Sequence, residues 1–301
     1  MKKHRSVYLA QVLCALLLLA VGAIALNAFT GNPLGVQTAL AGSFPMGRVL
    51  LPRDQIKDQA IATVKQFHKE AQTWGKAHLY FDQFDGKNYQ LDGSYLTRGI
   101  GEDLDKELNA AATTGDYQQV LTDAQIQLFQ LHMLEQDFKD KTPFNKVHKT
   151  DLKLLDHYQL RKSQVLVIST VEQTLRVYDN GKLVRSFLVT TGTPDLPAVP
   201  GLWLSLWRVT KTTFHSPYPK SSPFYYPPTK INFAIMYHEG GYFVHDSWWR
   251  TNYGPGTQFV HPDASGNRSS TTGTHGCINI PESIMPWLYR HTSYSTMILI
   301  Y

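Results

Sequence analysis

The hydrophobic pattern of this 301-residue chain changes its period near residue 160, and this change limits the possible folds more than any other feature. In Asp54–Trp74, apolar residues recur every three or four positions, which predicts a helix with one buried face: Ile56, Ala60, Val64, Phe67, Ala71 and Trp74. After residue 160, "QVLVIST" and "TLRVYD" run apolar or alternate, and Asn180-Gly181 provides a tight hairpin turn before "KLVRSFLVTT". We therefore predict a small all-α domain over residues 53–160 and a mainly-β domain, a β-sandwich or barrel-like pair of sheets, over residues 163–301.

Three more helices are predicted in the helical domain. One begins at Thr122, where Thr122 and Gln125 form a capping-box pattern, and the others cover Gly101–Ala112 and Asp151–Gln159. No chemical motif is evident in this domain, so its role stays open.

The β domain is predicted to contain further strands at Leu202–Val209, Ile231–Tyr237, Tyr242–His245 and Thr296–Ile300. A helix is expected near Pro281–His291, although Pro286 is an awkward residue for a helix interior. The segment Phe214–Lys230 carries five prolines and several aromatic residues. We expect it to form an ordered aromatic loop over a cleft.

The N-terminal segment Val7–Leu26 carries no charge and spans roughly 30 Å as a helix, which is the thickness of a bilayer core. Basic residues precede it, so the N-terminus should be cytoplasmic and the rest outside. We expect a single-pass anchor over residues 1–26, followed by a Gly- and Pro-containing linker over residues 27–52. A cleaved signal peptide is the alternative, although no small-x-small cleavage pattern directly follows the run.

The formal net charge of +5 is concentrated in that N-terminal tip, where Lys2, Lys3 and Arg5 lie. The rest of the chain has no long basic run, so we expect no nucleic-acid partner. Beyond the apolar run, which holds Cys14, the only cysteine is Cys277. This exported part therefore cannot form an internal disulfide, and a lone thiol in an oxidising compartment suggests either an accident or a reactive group.

The residues around Cys277 favour the reactive alternative. A thiol becomes a good nucleophile when an imidazole takes its proton, and "VHD" at His245 and "THGCINI" at His275 supply two candidates. Gly276 leaves room for a substrate carbonyl to approach the backbone. The N–H groups of Gly276 and Cys277 could then hold the oxyanion of a tetrahedral intermediate.

These segments, together with the hairpin "TLRVYDNGKLVRSFLVTTG" and the following "PESIMPWLY", resemble the L,D-transpeptidase (YkuD-like) catalytic domain. The resemblance covers about residues 163–301, and these fixed positions of the family pattern match: His245, Thr274, His275, Gly276, Cys277, Ile278 and Asn279. It implies an enzyme that acts on peptidoglycan stem peptides outside the cell membrane, facing the wall, with no metal or organic cofactor.

The resemblance also implies a role for each residue. Cys277 would be the nucleophile that forms a thioester with the third residue of a stem tetrapeptide, and His245 its base, oriented by the carbonyl of Asp246. His275 would help to position the thiolate, with support from Thr274, Gly276 and Asn279. Release of D-Ala and attack by an amine would give a 3→3 cross-link.

Two departures from the family pattern affect the assignment of the base. His245 and His275 are 30 positions apart, which is longer than usual and indicates an inserted loop. His261 lies in that insertion and is the alternative base. Asp246 stands where a small hydroxyl residue is common, and a carboxylate close to His245 would raise the pKa of that histidine.

Other readings of these residues stay open. Water or a protein amine could resolve the same thioester, Cys277 could be an inert thiol in a wall-binding module, or a zinc ion could be bound by some of His238, His245, His261, His275 and Cys277. A further set of residues could line the substrate cleft or simply pack: Tyr225, Tyr226, Trp248, Trp249 and Arg250.

Overall fold

The helical and mainly-β regions expected from the periodicity are both present in the computed structural model, which describes residues 52–96 and 99–301. The expected anchor over residues 1–26 and almost all of the expected linker lie outside these residues. In the part that the structure describes, no helix is long and apolar enough to cross a membrane. All of the described residues fall within one compact unit, so a division into separate domains at residues 160–163 stays a prediction.

Four helices make up most of the first region: α1 (Arg53–Ala77), α2 (Ile100–Ala110), α3 (Thr114–Lys139) and α4 (Lys149–His157). The expected apolar stripe of α1 is buried along its whole length. Helix α3 begins eight residues before the expected Thr122. Thr113 is the residue that caps it, in a reciprocal capping box with Asp116, while the Thr122 hydroxyl donates to the Gln118 carbonyl inside the helix. A capping box with Asp in place of Glu or Gln satisfies the same backbone donors.

The first region is not purely helical, because it contains an antiparallel hairpin of β1 (Leu79–Phe81) and β2 (Asn88–Gln90). Its cross-strand pair, Tyr80 and Tyr89, stacks on Phe259, with each ring centroid 4.8 Å from the phenylalanine. An isolated hairpin is marginal in water. These stacking contacts with a segment far along the chain therefore help to hold it.

The second region contains two sheets. One has the strand order β5-β4-β3-β11-β6 and the other β10-β9-β8-β7. The strands are β3 (Gln164–Ser169), β4 (Thr174–Asp179), β5 (Lys182–Leu188), β6 (Gly201–Leu204), β7 (Trp207–Phe214), β8 (Thr229–His238), β9 (Tyr242–Ser247), β10 (Ile278–Pro281) and β11 (Met297–Ile300).

Three details of this region differ from the sequence expectation. The single strand expected at Leu202–Val209 is divided between β6 and β7, which belong to different sheets. Strand β10 was not expected, and it pairs in parallel with β9. The last helix, α5 (Met285–His291), begins late enough that Pro286 lies in its first turn. Proline is tolerated there because a first-turn N–H has no partner within the helix.

The helical region and the five-stranded sheet share a buried polar network centred on Arg176 of β4. Arg176 donates two hydrogen bonds to the carboxylate of Asp151 on α4, at 2.5 and 3.1 Å. The hydroxyls of Tyr178 and Tyr301 donate to the same carboxylate at 2.7 and 2.9 Å. The side chains of Arg176 and Asp151 are inaccessible to solvent, so the contact depends on full pairing.

A second carboxylate, Asp137 near the end of α3, extends this network. It accepts hydrogen bonds from Ser169 of the sheet at 2.6 Å and from Thr150 of α4 at 2.9 Å. His148 lies against it at 3.0 Å. Both helices are therefore bound to the same sheet through polar groups that have left water.

Replacing Asp151 by Asn should destabilise the full-length protein by about 3–5 kcal/mol, because the buried guanidinium of Arg176 loses its charged partner. Urea unfolding followed by tryptophan fluorescence measures the loss. The matched control is Asp156→Asn on the same helix, since Asp156 is exposed and pairs with Arg161 at the surface. This control should leave the midpoint almost unchanged. Equal effects of the two variants would contradict the assigned role of the buried pair.

Candidate active site

Cys277 lies at the end of a tight loop, immediately before β10. Its side chain is partly buried, and its Sγ accepts a hydrogen bond from the backbone N–H of Phe243 on β9 at 3.4 Å. It packs against an apolar cluster of Ile231, Ala234 and Phe243. Strand β9 therefore fixes the position of the thiol directly.

His245 shares the face of the sheet on which Cys277 packs. Phe243 and His245 are two residues apart on β9, so their side chains point to the same side. The ring of Phe214 contacts both, with centroid distances of 4.7 and 5.2 Å. The parallel register places Asn279 opposite His245, and neighbouring strands lie about 5 Å apart. The structure thus brings Cys277, His245 and Asn279 together on adjacent strands.

The imidazole of His245 has a defined tautomer. Its Nδ1 lies 2.8 Å from the backbone carbonyl oxygen of Asp246. Because a carbonyl can only accept, Nδ1 carries the proton and Nε2 keeps its lone pair. Burial lowers the pKa of His245 to about 4, so the ring is neutral at neutral pH.

The carboxylate of Asp246 is directed at the neighbouring strand. It accepts hydrogen bonds from the backbone N–H groups of Phe233 at 2.6 Å and Asn232 at 3.2 Å. Its negative charge raises the pKa of His245, but the effect of burial is larger and opposite. At this position, the backbone carbonyl orients the histidine and the side chain secures β8.

The loop before Cys277 is held by Thr274. The Thr274 hydroxyl donates to the Cys277 carbonyl at 2.6 Å and accepts from the Gly276 N–H at 3.1 Å. The Gly276 N–H is therefore already occupied, which argues against its expected part in an oxyanion hole. Gly276 has φ +103°, a conformation that side chains rarely adopt.

Two tyrosines that the sequence analysis did not single out complete this loop. The buried Tyr237 donates its hydroxyl to the Gly276 carbonyl at 2.8 Å. The ring of Tyr242 lies against Gly276, where an added Cβ would overlap it. Strand alternation in β8 and β9 was the available signal, but it could not show which loop these rings would meet.

The proline-rich segment that follows β7 lies beside the catalytic loop, as the sequence analysis anticipated for Phe214–Lys230. The ring of Tyr226 lies 5.1 Å from that of the exposed His275, and Tyr218 lies 6.5 Å from it. Burial raises the pKa of Tyr226 to about 12, and a thiolate at Cys277 contributes to this rise. Tyr225 sits in a turn, where its N–H donates to the Ser222 carbonyl.

The three residues after Ser247 have different surroundings. Trp249 lies 6.0 Å from the ring of His245, so it borders the site. Trp248 is exposed and donates its indole N–H to the Lys230 carbonyl. Arg250 is buried and donates to the Thr272 carbonyl, which holds the end of the inserted loop. Burial lowers the pKa of Arg250 to about 10.

The alternative base, His261, is built into the insertion. Its Nδ1 donates to the Phe259 carbonyl at 2.9 Å, and its backbone N–H donates to the Thr271 carbonyl at 2.8 Å. Among the described residues, no hydrogen bond joins it to Cys277. The geometry therefore favours His245 over His261 as the partner of the thiol.

Metal-ligand atoms come together at a different place, where Asp137, His148 and Glu172 lie within 4.8 Å of one another. Arg176 donates to Glu172, and His148 lies against Asp137, so these carboxylates already have cationic or hydrogen-bonding partners. The five candidate zinc ligands of the sequence analysis form no such cluster in the part of the chain that is described.

Comparison with known proteins gives the class of the second region. Residues 163–300 match the family model of the YkuD domain, the L,D-transpeptidase catalytic domain. This part of the chain is a YkuD domain, and the resemblance seen around Cys277 is confirmed. No curated protein matches the chain significantly.

Several solved structures are similar to the chain. They include a mutant of Enterococcus faecium L,D-transpeptidase (22% identity, TM-score 0.36, 46% of this chain and 48% of that one) and an L,D-transpeptidase from Mycobacterium smegmatis (23%, 0.36, 46% and 57%). L,D-transpeptidase 1 of Mycobacterium tuberculosis is a third (19%, 0.36, 46% and 60%). The chain thus spans about half the length of the structures it matches.

The thiol of Cys277 should react slowly at neutral pH, because burial raises its pKa to about 11 and keeps it protonated. In a Cys14→Ala background, the rate of alkylation by iodoacetamide should rise between about pH 9 and 11. The same protein in urea should titrate near about 8.5, the value of a free cysteine. A plateau already reached by pH 8 in the folded protein would contradict this description of the site.

Replacing Gly276 by Ala should impair the site while leaving the fold intact. The new Cβ meets the ring of Tyr242, and the backbone conformation is unfavourable for alanine. We expect reaction of Cys277 with a carbapenem to slow by about tenfold or more, from about 1–3 kcal/mol of strain. Intact-protein mass spectrometry measures it, with Gly266→Ala as control because Gly266 has open space around it. Equal rates for both variants would count against this effect.

Proposed function

We propose that this protein is a peptidoglycan L,D-transpeptidase that makes 3→3 cross-links. Cys277 forms a thioester with the third residue of a stem tetrapeptide, D-Ala leaves, and the peptide is transferred to an amine of another stem. The observation that supports this most is the shared sheet face of Cys277 and His245, with the Nδ1 of His245 fixed by the Asp246 carbonyl. That arrangement occurs within the YkuD domain.

The first half of the reaction begins from neutral groups. Burial lowers the pKa of His245 and raises that of Cys277, so the resting pair is an imidazole and a thiol. As Sγ attacks the carbonyl carbon of the third residue, the proton of Cys277 passes to Nε2 of His245. The tetrahedral intermediate then collapses, and the proton on His245 goes to the departing nitrogen of D-Ala.

The oxyanion of that intermediate is assigned to the Cys277 N–H, since Thr274 occupies the Gly276 N–H. Tyr237 and Thr274 fix the two carbonyl groups of the loop and so limit the rotation of the peptide unit between Gly276 and Cys277. Donors fixed before the reaction stabilise developing charge without reorganising. Asn279, whose side-chain oxygen has no hydrogen-bond partner among the described residues, is a support residue beside His245.

The second half reverses the proton movements. An incoming amine attacks the thioester carbonyl, His245 takes the proton of that amine, and Cys277 leaves with a proton from the imidazolium. The aromatic loop with Tyr226, and Trp249 beside His245, are the proposed borders of the peptide cleft. No metal or organic cofactor takes part in these steps.

We place the reaction outside the cell membrane, at the wall. The support comes from the uncharged run Val7–Leu26 and the basic residues ahead of it, which favour a single-pass anchor with the catalytic domain on the outer side.

Incubation of the full-length protein with disaccharide-tetrapeptides tests the proposal. Mass spectrometry should detect 3→3 dimers that have lost D-Ala. Tripeptide monomers alone would identify a carboxypeptidase, and transfer only to a protein amine would identify a protein-anchoring enzyme. Unchanged fragments with an unmodified Cys277 would contradict all three activities, provided that circular dichroism shows a folded protein.

Substitutions separate the roles of the residues. Cys277→Ser should abolish thioester formation, and His245→Ala should slow it by about 10²–10⁴-fold through loss of the general base. His261→Ala is the matched control and should change the rate little. A large loss in His261→Ala with near-normal acylation in His245→Ala would reverse the assignment of the base. The rate of carbapenem adduct formation is the measurement.

A further inference from the structure

A polar crevice lies between the first region and the catalytic domain, on the far side of the segment that supports the Cys277 loop. One wall comes from the residues after the hairpin and the other from the insertion and the 191–197 segment. Its lining includes Gln90, Ser94, Thr193, Pro197, Gln258 and Phe259. Neither wall is complete without the other region of the chain.

The crevice is linked to the catalytic loop by backbone hydrogen bonds. The Thr274 N–H donates to the Thr191 carbonyl at 2.9 Å, and the Thr193 N–H donates to the Thr274 carbonyl at 3.0 Å. The Pro197 carbonyl lies against Gly276. One short segment therefore borders the crevice on one side and the loop of Cys277 on the other.

One lining residue indicates that a ligand is missing. Gln258 is only 5% exposed, and its side-chain oxygen has no hydrogen-bond partner among the described residues. A buried acceptor without a partner is destabilising. A ligand N–H or O–H in the crevice would satisfy it.

The remaining lining limits the chemistry of that ligand. The crevice residues offer hydroxyl and amide groups beside Phe259 and two prolines, and none has a charged side chain. A stem peptide brings carboxylates that would meet no cation here. A sugar ring brings hydroxyl and amide groups for hydrogen bonds and C–H faces for the apolar wall.

We propose that this crevice is a saccharide subsite, which holds a neutral N-acetylated sugar ring of the wall glycan while the attached stem peptide reaches Cys277. This inference rests on the proposed function for its choice of sugar. It gives the first region a function, because the hairpin supplies one wall and anchors Phe259 in the other.

The test uses Gln258→Met, which keeps the side-chain volume and removes the amide. Calorimetric titration of the full-length Cys277→Ser protein with an N-acetylglucosamine tetrasaccharide should show saturable binding. Adding Gln258→Met should weaken it about five- to tenfold, the value of roughly one hydrogen bond. The melting temperature should stay the same or rise, since an unpartnered buried oxygen has been removed. A merely structural glutamine would not separate these two readouts.

Gln125→Met is the matched control, because Gln125 is an exposed residue of α3 outside the crevice, and it should bind the tetrasaccharide like the parent. No saturable binding up to about 10 mM would overturn the proposal. Equal affinity in Gln258→Met and its parent would overturn the assignment to this crevice. Binding of a sugar-free tetrapeptide that weakens in Gln258→Met, without tetrasaccharide binding, would make the crevice a peptide subsite. Thioester formation by the unsubstituted protein is scored separately, so failure of the saccharide subsite is distinguishable from failure of the enzyme activity.

Discussion

The buried contact between Arg176 and Asp151 is the interaction on which the arrangement of this molecule depends. A guanidinium inside a sheet is tolerated only when a carboxylate and further hydrogen bonds replace its water, and here the carboxylate comes from α4. Asp137 on α3 repeats the pattern with Ser169. Two helices are thus fixed to the sheet by groups that need specific partners, which determine orientation more strictly than apolar contact does. The first region is consequently part of the catalytic unit.

Desolvation has the main effect on the chemistry of the site. The same removal of water that lowers the pKa of His245 raises that of Cys277, and each change favours the neutral form. The thiol is therefore protected from casual oxidation and alkylation, which matters for a lone cysteine in an oxidising compartment. Proton transfer then has to accompany attack on a substrate. The cost is a nucleophile that depends strongly on a correctly placed base.

Local patterns in the sequence predicted the elements that local physics decides. The stripe of α1 and the Asn180-Gly181 turn are of this kind, and both residues of the turn have the positive φ that a tight hairpin needs. The motif around Cys277 gave the family because its residues are contiguous. Strand β10 and the Tyr80–Tyr89 hairpin were missed because each is stabilised by a partner far along the chain. The occupied N–H of Gly276 was missed for a similar reason, since only the folded loop shows that Thr274 takes it.

Phe259 shows what the long insertion between His245 and His275 requires. A longer loop adds only a slowly growing closure entropy, so the chain tolerates the extra residues if something fixes them in place. Two tyrosines of the hairpin do so by stacking on Phe259, which is only 2% exposed. A fragment cut to begin at residue 163 would leave that ring without its partners and the Arg176 guanidinium without Asp151. The limits of the matched family domain are therefore poor limits for an excised, independently folding fragment of this chain.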